Sequence, residues 1–185
     1  PPVVRLRRYE SASNGAVGLY HIENLTPEAR EQGEALLHEG YQTYVIDDAE
    51  IERVRRGYPV LWKDPAAKPR LAFIGCPHLS KSQLYSWLER IEAALAAEGS
   101  RRVRVPTVLT TAPGVEAAFR ADAAALARLE ATGATLSSIC PLMYLNNPLC
   151  GKKAVATCSN KLRTYTAARY FTEAELASVI ARGRV

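Results

Sequence analysis

The sequence has 185 residues, 48% of them hydrophobic and 8% aromatic, and it carries a net charge of +5 at pH 7. This composition suits a domain with a hydrophobic core and excludes disorder, a coiled coil and a membrane span, because no apolar run approaches about 20 residues. The basic residues are scattered and not interleaved with aromatic ones, which favours a solvated surface or an anionic substrate over nucleic acid.

Before Arg70 the sequence predicts short helices and strands without a regular alternation. After a short strand and the polar loop SASNGA, Thr26 is a favourable N-cap, Pro27 takes the first helical position, and Gly40 ends the predicted helix. The β-branched and aromatic run QTYVIDD predicts a strand, and AEIERVRR predicts a short helix. The chain opens on PPVVRLRRYES, without a methionine or a secretory signal, so we expect it to be part of a larger protein.

From Arg70 onward the pattern becomes regular. Strands are predicted at LAFIG, VRVPTVLTT, ATLSSIC and KAVATC, and a single long helix at GVEAAFRADAAALARLEATG. Capping boxes begin two other helices, at Ser80 with Gln83 and at Thr172 with Glu175. Strands separated by helices imply βαβ crossovers, so we predict a three-layer α/β/α fold with a mostly parallel sheet over residues 70–185.

Three of the four cysteines end predicted strands: Cys76, Cys140 and Cys158. Parallel strands bring their carboxyl ends to one edge of a sheet, where open α/β sheets bind ligands, so we expect these thiols to meet there. Cys150 lies in a loop and receives no role. A chain of this length with no secretory signal fits the reducing cytoplasm, where clustered thiols indicate metal binding, catalysis or burial.

The cysteines leave several interpretations open. Each could be a small buried hydrophobic residue. No C-x2-4-C pair typical of structural zinc is present. An iron–sulfur cluster does not require such local pairs, so single thiolates from separate loops suit it. A cluster with three protein ligands would leave one iron open to a substrate hydroxyl or carboxylate. A thiol enzyme with Cys76 as the nucleophile and His78 nearby is a third and weaker alternative.

Polar residues surround these strand ends. Ser159, Lys161, Arg163 and Tyr165 follow the last strand, and the two cationic side chains would clamp a carboxylate. His78 could orient a ligand, act as an acid or base, or bind a loop carbonyl.

Taken together, the stretches SASNGAVGLYHIENLTPEA, FIGCPHLSKSQL, SSICPL and AVATCSNKLRTY resemble the large, catalytic subunit of the aconitase X family. The resemblance implies an aconitase-like domain, with residues 1–69 as the tail of a preceding domain plus a connection and residues 70–185 carrying cluster-ligand cysteines. It covers only the carboxyl-terminal part of that subunit, and the remainder of the subunit and a small swivelling subunit are the implied partners.

The resemblance also implies a hydro-lyase that uses an iron–sulfur cluster or mononuclear iron to remove water from a hydroxylated carboxylic acid. Its implied metal ligands are Cys76 and Cys140, and its implied substrate-binding residues are Ser159, Lys161 and Ser13, with Gly15 in the same loop as Ser13. The Ala- and Arg-rich composition suits a GC-rich bacterial genome, which favours cis-3-hydroxy-L-proline over the alternative, mevalonate 5-phosphate.

One departure from the family pattern and one rival hypothesis accompany this prediction. Asparagine is the usual family residue at the position of Cys158, so Cys158 is either a substitute ligand or a replacement for a polar substrate contact. The rival hypothesis is a non-catalytic assembly subunit of the same ancestry, in which the cysteines serve packing alone.

Overall fold

The computed structural model describes residues 21–185, which divide into two compact units, the first ending at Tyr58 and the second spanning Pro59–Val185. Ser13, Gly15 and the SASNGA loop lie outside the described residues. Within 21–185, no helix combines the length and the apolar character that crossing a bilayer requires.

The first unit contains two short helices in its described part. Helix α1, Pro27–Gln32, begins after Thr26 as predicted, but it does not continue to Gly40. The backbone of Gly33 has a φ of +53°, which ends α1, and a 3-10 turn over Gly33–Leu36 follows. Helix α2, Asp48–Arg56, confirms the second predicted helix.

The strand predicted at QTYVIDD is wrong. Residues 41–47 have no regular structure and are exposed, and no strand among residues 21–185 pairs with them. β-Branched and aromatic side chains favour a strand only when a neighbouring strand and a core face accept them. The side chain of Asp47 instead accepts a hydrogen bond from the Glu50 amide and begins α2.

The second unit is built on a five-stranded parallel sheet, which confirms the predicted α/β fold. The strands are β1 (Leu71–Leu79), β2 (Thr107–Thr111), β3 (Thr135–Ser137), β4 (Val155–Thr157) and β5 (Arg169–Tyr170), in the order β3-β2-β1-β4-β5. The two-residue β5 is too short to leave a recognisable alternation in the sequence, and it was not predicted. The chain proceeds from β1 through β2 to β3 and then returns to the other side of β1 as β4, so the strand order reverses between β1 and β4.

Six helices of the second unit connect or follow these strands: α3 (Lys81–Ala97), α4 (Pro113–Arg120), α5 (Ala123–Thr132), α6 (Pro141–Leu145), α7 (Asn160–Tyr165) and α8 (Glu173–Arg182). Both predicted capping boxes are present, at Ser80 with Gln83 and at Thr172 with Glu175. The long helix predicted between β2 and β3 is instead two helices. Asp122 accepts a hydrogen bond from the Ala125 amide, which starts α5 as a new helix after α4.

The sheet separates two hydrophobic cores. Along β1, Ala72 and Ile74 face the first core, whereas Leu71 and Phe73 face the second. Helix α3 contributes to the first core the five residues predicted to share its buried face: Leu84, Trp87, Leu88, Ile91 and Leu95. Leu145 of α6 and Leu162 of α7 belong to the second core. Burying each of these large side chains stabilises the fold by about 1.5–3 kcal/mol, which holds the strand ends in fixed positions.

Candidate functional site at the carboxyl edge of the sheet

Gly75 begins an irregular end to β1. Its φ is +112°, and a side chain here would place a Cβ atom 2.3 Å from the Thr110 carbonyl oxygen. The Thr110 hydroxyl donates to the Gly75 carbonyl at 2.7 Å, so β2 holds this turn closely. The register with β2 shifts between Ile74 and Leu79, and the Cys76–Pro77 peptide bond is cis. The predicted strand was expected to end near Cys76, but hydrogen bonding to β2 extends it to Leu79.

Ser159 joins the end of β4 to the end of β1. Its hydroxyl donates a hydrogen bond to the backbone carbonyl of Cys76 and accepts one from the Leu162 amide at 3.0 Å. Ser159 is buried, and it is the N-cap of α7. The structure therefore brings Ser159 and Cys76 together at the point where the strand order reverses, the place where open α/β sheets bind ligands.

Cys140 reaches the same edge from β3, but not as the end of the strand. Strand β3 ends at Ser137, and Cys140 lies in the N-cap position of α6 with an exposed side chain. The ring of His78 donates a hydrogen bond from Nε2 to the Ile139 carbonyl, at 3.1 Å. This contact connects the end of β1 with the loop that carries Cys140.

The pKa of Cys76 depends on burial and on three neighbours, Ser159, Lys161 and Cys140. Burial raises the pKa of the Cys76 thiol, while a hydrogen bond with Ser159 and the positive charge of Lys161 lower it, and Cys140 raises it further. The net effect is a raised pKa. Three of the residues predicted for the site, Cys140, Ser159 and Lys161, thus lie within electrostatic or hydrogen-bonding reach of Cys76.

Cys158 does not join this group. It packs against the first core, whereas Cys76 packs against the second core on the other side of the sheet. The prediction that three thiols share one site is therefore wrong for Cys158, because alternate residues of β4 point to opposite faces and Cys158 follows the side of Ala156. Burial, with a smaller effect of Glu173, raises the pKa of the Cys158 thiol to about 12.

The donor set at this edge fits part of an iron site. Thiols are the ligands that iron–sulfur clusters use, and both Cys76 and Cys140 are free. Within residues 21–185, however, no group of three His, Cys, Asp or Glu side chains is placed to hold a metal ion. The described residues offer two thiols, so any further ligand has to come from elsewhere.

The cysteine edge differs from a basic cavity of the second unit. That cavity has a volume of about 250 Å³ and is lined by Lys68, Glu98, Arg104, Arg182, Gly183 and Arg184. Lys68 and Arg104 precede β1 and β2, so the cavity lies at the amino-terminal edge of the sheet. No residue predicted for the site lines it.

Comparisons with known proteins identify two curated relatives in archaea. No family model matches the chain. The chain is 28% identical over 105 residues to the phosphomevalonate dehydratase large subunit of Thermococcus kodakarensis, a match that covers 57% of this chain and 24% of that protein. It is 32% identical over 73 residues to the phosphomevalonate dehydratase large subunit of Methanosarcina mazei, covering 40% of this chain and 16% of that protein.

The fold has a counterpart among solved structures. The crystal structure of Thermococcus kodakaraensis aconitase X in its holo form superposes with a TM-score of 0.68 and 24% identity, covering 90% of this chain and 42% of that one. These matches confirm the resemblance to the aconitase X family large subunit and its α/β fold. The chain spans less than half of the length of the proteins that it matches.

Proposed function

We propose that this chain is part of the large subunit of a hydro-lyase that removes water from a hydroxylated carboxylic acid. The observation that carries the proposal is the meeting of Cys76, Cys140, Ser159 and Lys161 at the carboxyl edge of the sheet. Three loops that are distant in sequence supply these groups, at the place where an α/β sheet binds its ligand. The similarity to two dehydratase large subunits gives the reaction class.

Each residue has a proposed role. Cys76 and Cys140 would hold an iron–sulfur cluster or a single iron, which supplies Lewis-acid chemistry toward a substrate hydroxyl when bound. Lys161, exposed in the first turn of α7, would pair with the substrate carboxylate. Ser159 holds the loop of Cys76, and its hydroxyl would contact substrate only by giving up one of its two hydrogen bonds. Ser13 stays a predicted substrate contact.

The catalytic base and the remaining iron ligands would come from outside this chain. We propose that the rest of the large subunit completes the iron site and that a small swivelling subunit supplies a serine to take the proton next to the carboxylate. Both relatives are named as large subunits, which supports a small partner. Four free cysteines suit a reducing compartment, so we place the complex in the cytoplasm.

Two substrates are worth testing. Both relatives are named for phosphomevalonate, which makes mevalonate 5-phosphate the first candidate. Its phosphate and carboxylate suit a site edge that carries the exposed Lys161. The composition-based preference for cis-3-hydroxy-L-proline stays a prediction, and it calls for the second assay.

The test is anaerobic reconstitution of this chain with the remainder of the large subunit and the small subunit. We expect iron and sulfide in the purified complex, a cluster absorption and EPR signal, and dehydration of one of the two acids. Cys76→Ser should abolish the cluster signal with the fold intact, and Cys158→Ser, as the matched control, should leave it unchanged. A reconstituted complex that binds no iron would overturn the proposal.

A non-catalytic assembly subunit is the second candidate. The observation that favours it is that residues 21–185 offer no group of three ligands and that the Ser159 hydroxyl already has two structural hydrogen bonds. If Cys76→Ser leaves both the assembly and the iron content of the complex unchanged, this second candidate is supported over the enzyme.

A further inference from the structure

We propose that His78 is a positioning residue, whose hydrogen bond to the Ile139 carbonyl holds the loop that carries Cys140 beside Cys76. The inference deepens the proposed function, since it concerns the same pair of thiols. It gives His78 a role that concerns the geometry of the ligand loops and not contact with the substrate.

The contact joins the end of β1 to the loop that precedes α6, a helix that itself packs against β1 through Leu145 and Tyr144. His78 lies two residues after Cys76, and Ile139 immediately precedes Cys140. Nε2 of His78 lies 3.1 Å from the Ile139 carbonyl oxygen, and because a carbonyl only accepts, the ring nitrogen is the donor. A single side chain thus connects the chain next to one thiol with the chain next to the other.

The His78 side is fixed by the sheet. Leu79 pairs with Thr111 of β2, and the Thr111 hydroxyl donates to the Leu79 carbonyl at 2.5 Å. Leu79 is buried, and Ser80 then starts the capping box of α3. The backbone on either side of His78 is therefore anchored, although the imidazole itself is exposed.

The Ile139 side is not fixed by the sheet. Strand β3 has ended at Ser137, and residues 138–140 are exposed. A second hydrogen bond orders this segment, since the Ser137 hydroxyl accepts from the Ile139 amide at 3.2 Å. The amide of Ile139 thus binds its own strand end and its carbonyl binds β1, while the buried Pro141 and Leu145 of α6 hold the chain that follows Cys140.

The arrangement has a measurable consequence that needs neither iron nor activity. A trivalent arsenical such as phenylarsine oxide forms two As–S bonds with a pair of adjacent thiols and releases water. In the 185-residue chain we expect it to capture Cys76 and Cys140 together, which peptide mapping after alkylation identifies. Loss of one hydrogen bond should weaken this capture about three- to tenfold.

Three variants test the role. His78→Ala should weaken capture by that factor while the urea midpoint changes little, and His78→Gln should restore it, because a glutamine amide reaches the position of Nε2. Ser137→Ala should weaken capture independently. His38→Ala, which changes an exposed histidine of the first unit, is the matched control and should have no effect.

The outcomes separate this inference from the proposed function. Unchanged capture in His78→Ala, or no joint capture of Cys76 and Cys140 in the unmodified chain, overturns the positioning role. A histidine effect on capture with no iron in the reconstituted complex retains the positioning role and rejects the hydro-lyase. Iron binding that is equal in His78→Ala and the unmodified chain, together with equal capture, rejects the positioning role alone.

Discussion

The hydroxyl of Ser159 donates a hydrogen bond to the backbone carbonyl of Cys76. The contact joins the end of β4 to the end of β1, and these two strands are adjacent in the sheet but distant in sequence. The same oxygen accepts the Leu162 amide and caps α7. The position of Cys76 at the edge of the sheet therefore depends on a residue whose own place is set by a helix N-terminus.

Ser159→Ala should destabilise the second unit. It removes an N-cap and leaves the carbonyl of the half-buried Cys76 and the amide of the buried Leu162 without their partner, so we expect a loss of about 1–3 kcal/mol in the free energy of unfolding. Urea denaturation followed by circular dichroism measures this loss. Ser178→Ala, at a half-buried position within α8, is the control and should be neutral, since alanine favours the helix. An equal effect of the two variants would contradict the structural role of the Ser159 hydroxyl.

Gly75→Ala should destabilise the fold severely. The new Cβ would lie 2.3 Å from a backbone oxygen of Thr110, and the residue would also have to keep a φ of +112°. We expect a loss of about 3 kcal/mol or more, measured by the same denaturation.

Gly114→Ala is the matched control for that variant. Gly114 lies in α4 with ordinary backbone angles and no atom within 4 Å of the added Cβ, so alanine should stabilise the protein by about 0.5–1 kcal/mol. If Gly75→Ala were tolerated as well as Gly114→Ala, that result would contradict the close contact between Gly75 of β1 and Thr110 of β2.

The sequence was sufficient for the elements whose signals are local. The capping boxes at Ser80 and Thr172 and the apolar face of α3 predicted helices that the structure contains. The parallel sheet followed from the alternation of strands and helices. Predictions that depend on tertiary context were wrong. A strand at QTYVIDD needs a partner strand, which the described residues do not provide. The helix break at Asp122 depends on one hydrogen bond, whereas the apolar pattern continues through it.

The candidate site shows the same division. The predicted strand ends indicated that Cys76, Cys140 and the loop of Ser159 and Lys161 lie at one edge of the sheet, and the structure has them there. The direction of Cys158 could not be deduced, because it depends on the exact residue at which β4 ends and a shift of one position reverses the face. The contact of His78 with Ile139 joins residues far apart in sequence, and no local pattern reveals it.

Acid should weaken the contact between α3 and α5. Two hydrogen bonds lower the pKa of Asp122, the larger effect coming from the Ala125 amide and the smaller from the Tyr85 hydroxyl. A carboxylate whose pKa is lower in the folded state stabilises the fold above its unfolded pKa, and this contribution is lost as the pH falls through the folded pKa. We therefore expect part of the stability of the protein to be lost below about pH 4, the range in which an unfolded aspartate takes up its proton.

Asp122→Asn isolates this effect. Asparagine still caps a helix and still accepts from Tyr85, but it does not titrate, so stability between about pH 5 and pH 2 should fall less steeply than in the unmodified chain. Tyr85→Phe removes one of the two contacts and should reduce the slope partly. Carboxyl ¹³C NMR titration measures the pKa of Asp122 directly. An unchanged slope in Asp122→Asn would rule out this carboxylate as the source.

The cysteines should react with iodoacetamide in the order of their exposure. Only the thiolate reacts, and burial raises the pKa of Cys158 to about 12, so at about pH 8 roughly one part in ten thousand is thiolate. Cys140 is exposed and should be modified first, Cys76 more slowly because burial raises the pKa of its thiol, and Cys158 last. Mass spectrometry of peptides at timed quenches gives the order, and the same reaction in urea, where all four thiols should react alike, is the control. Early modification of Cys158 in the folded chain would mean that its thiol lies toward solvent at the edge with Cys76 and Cys140, and it would return Cys158 to the set of candidate ligands.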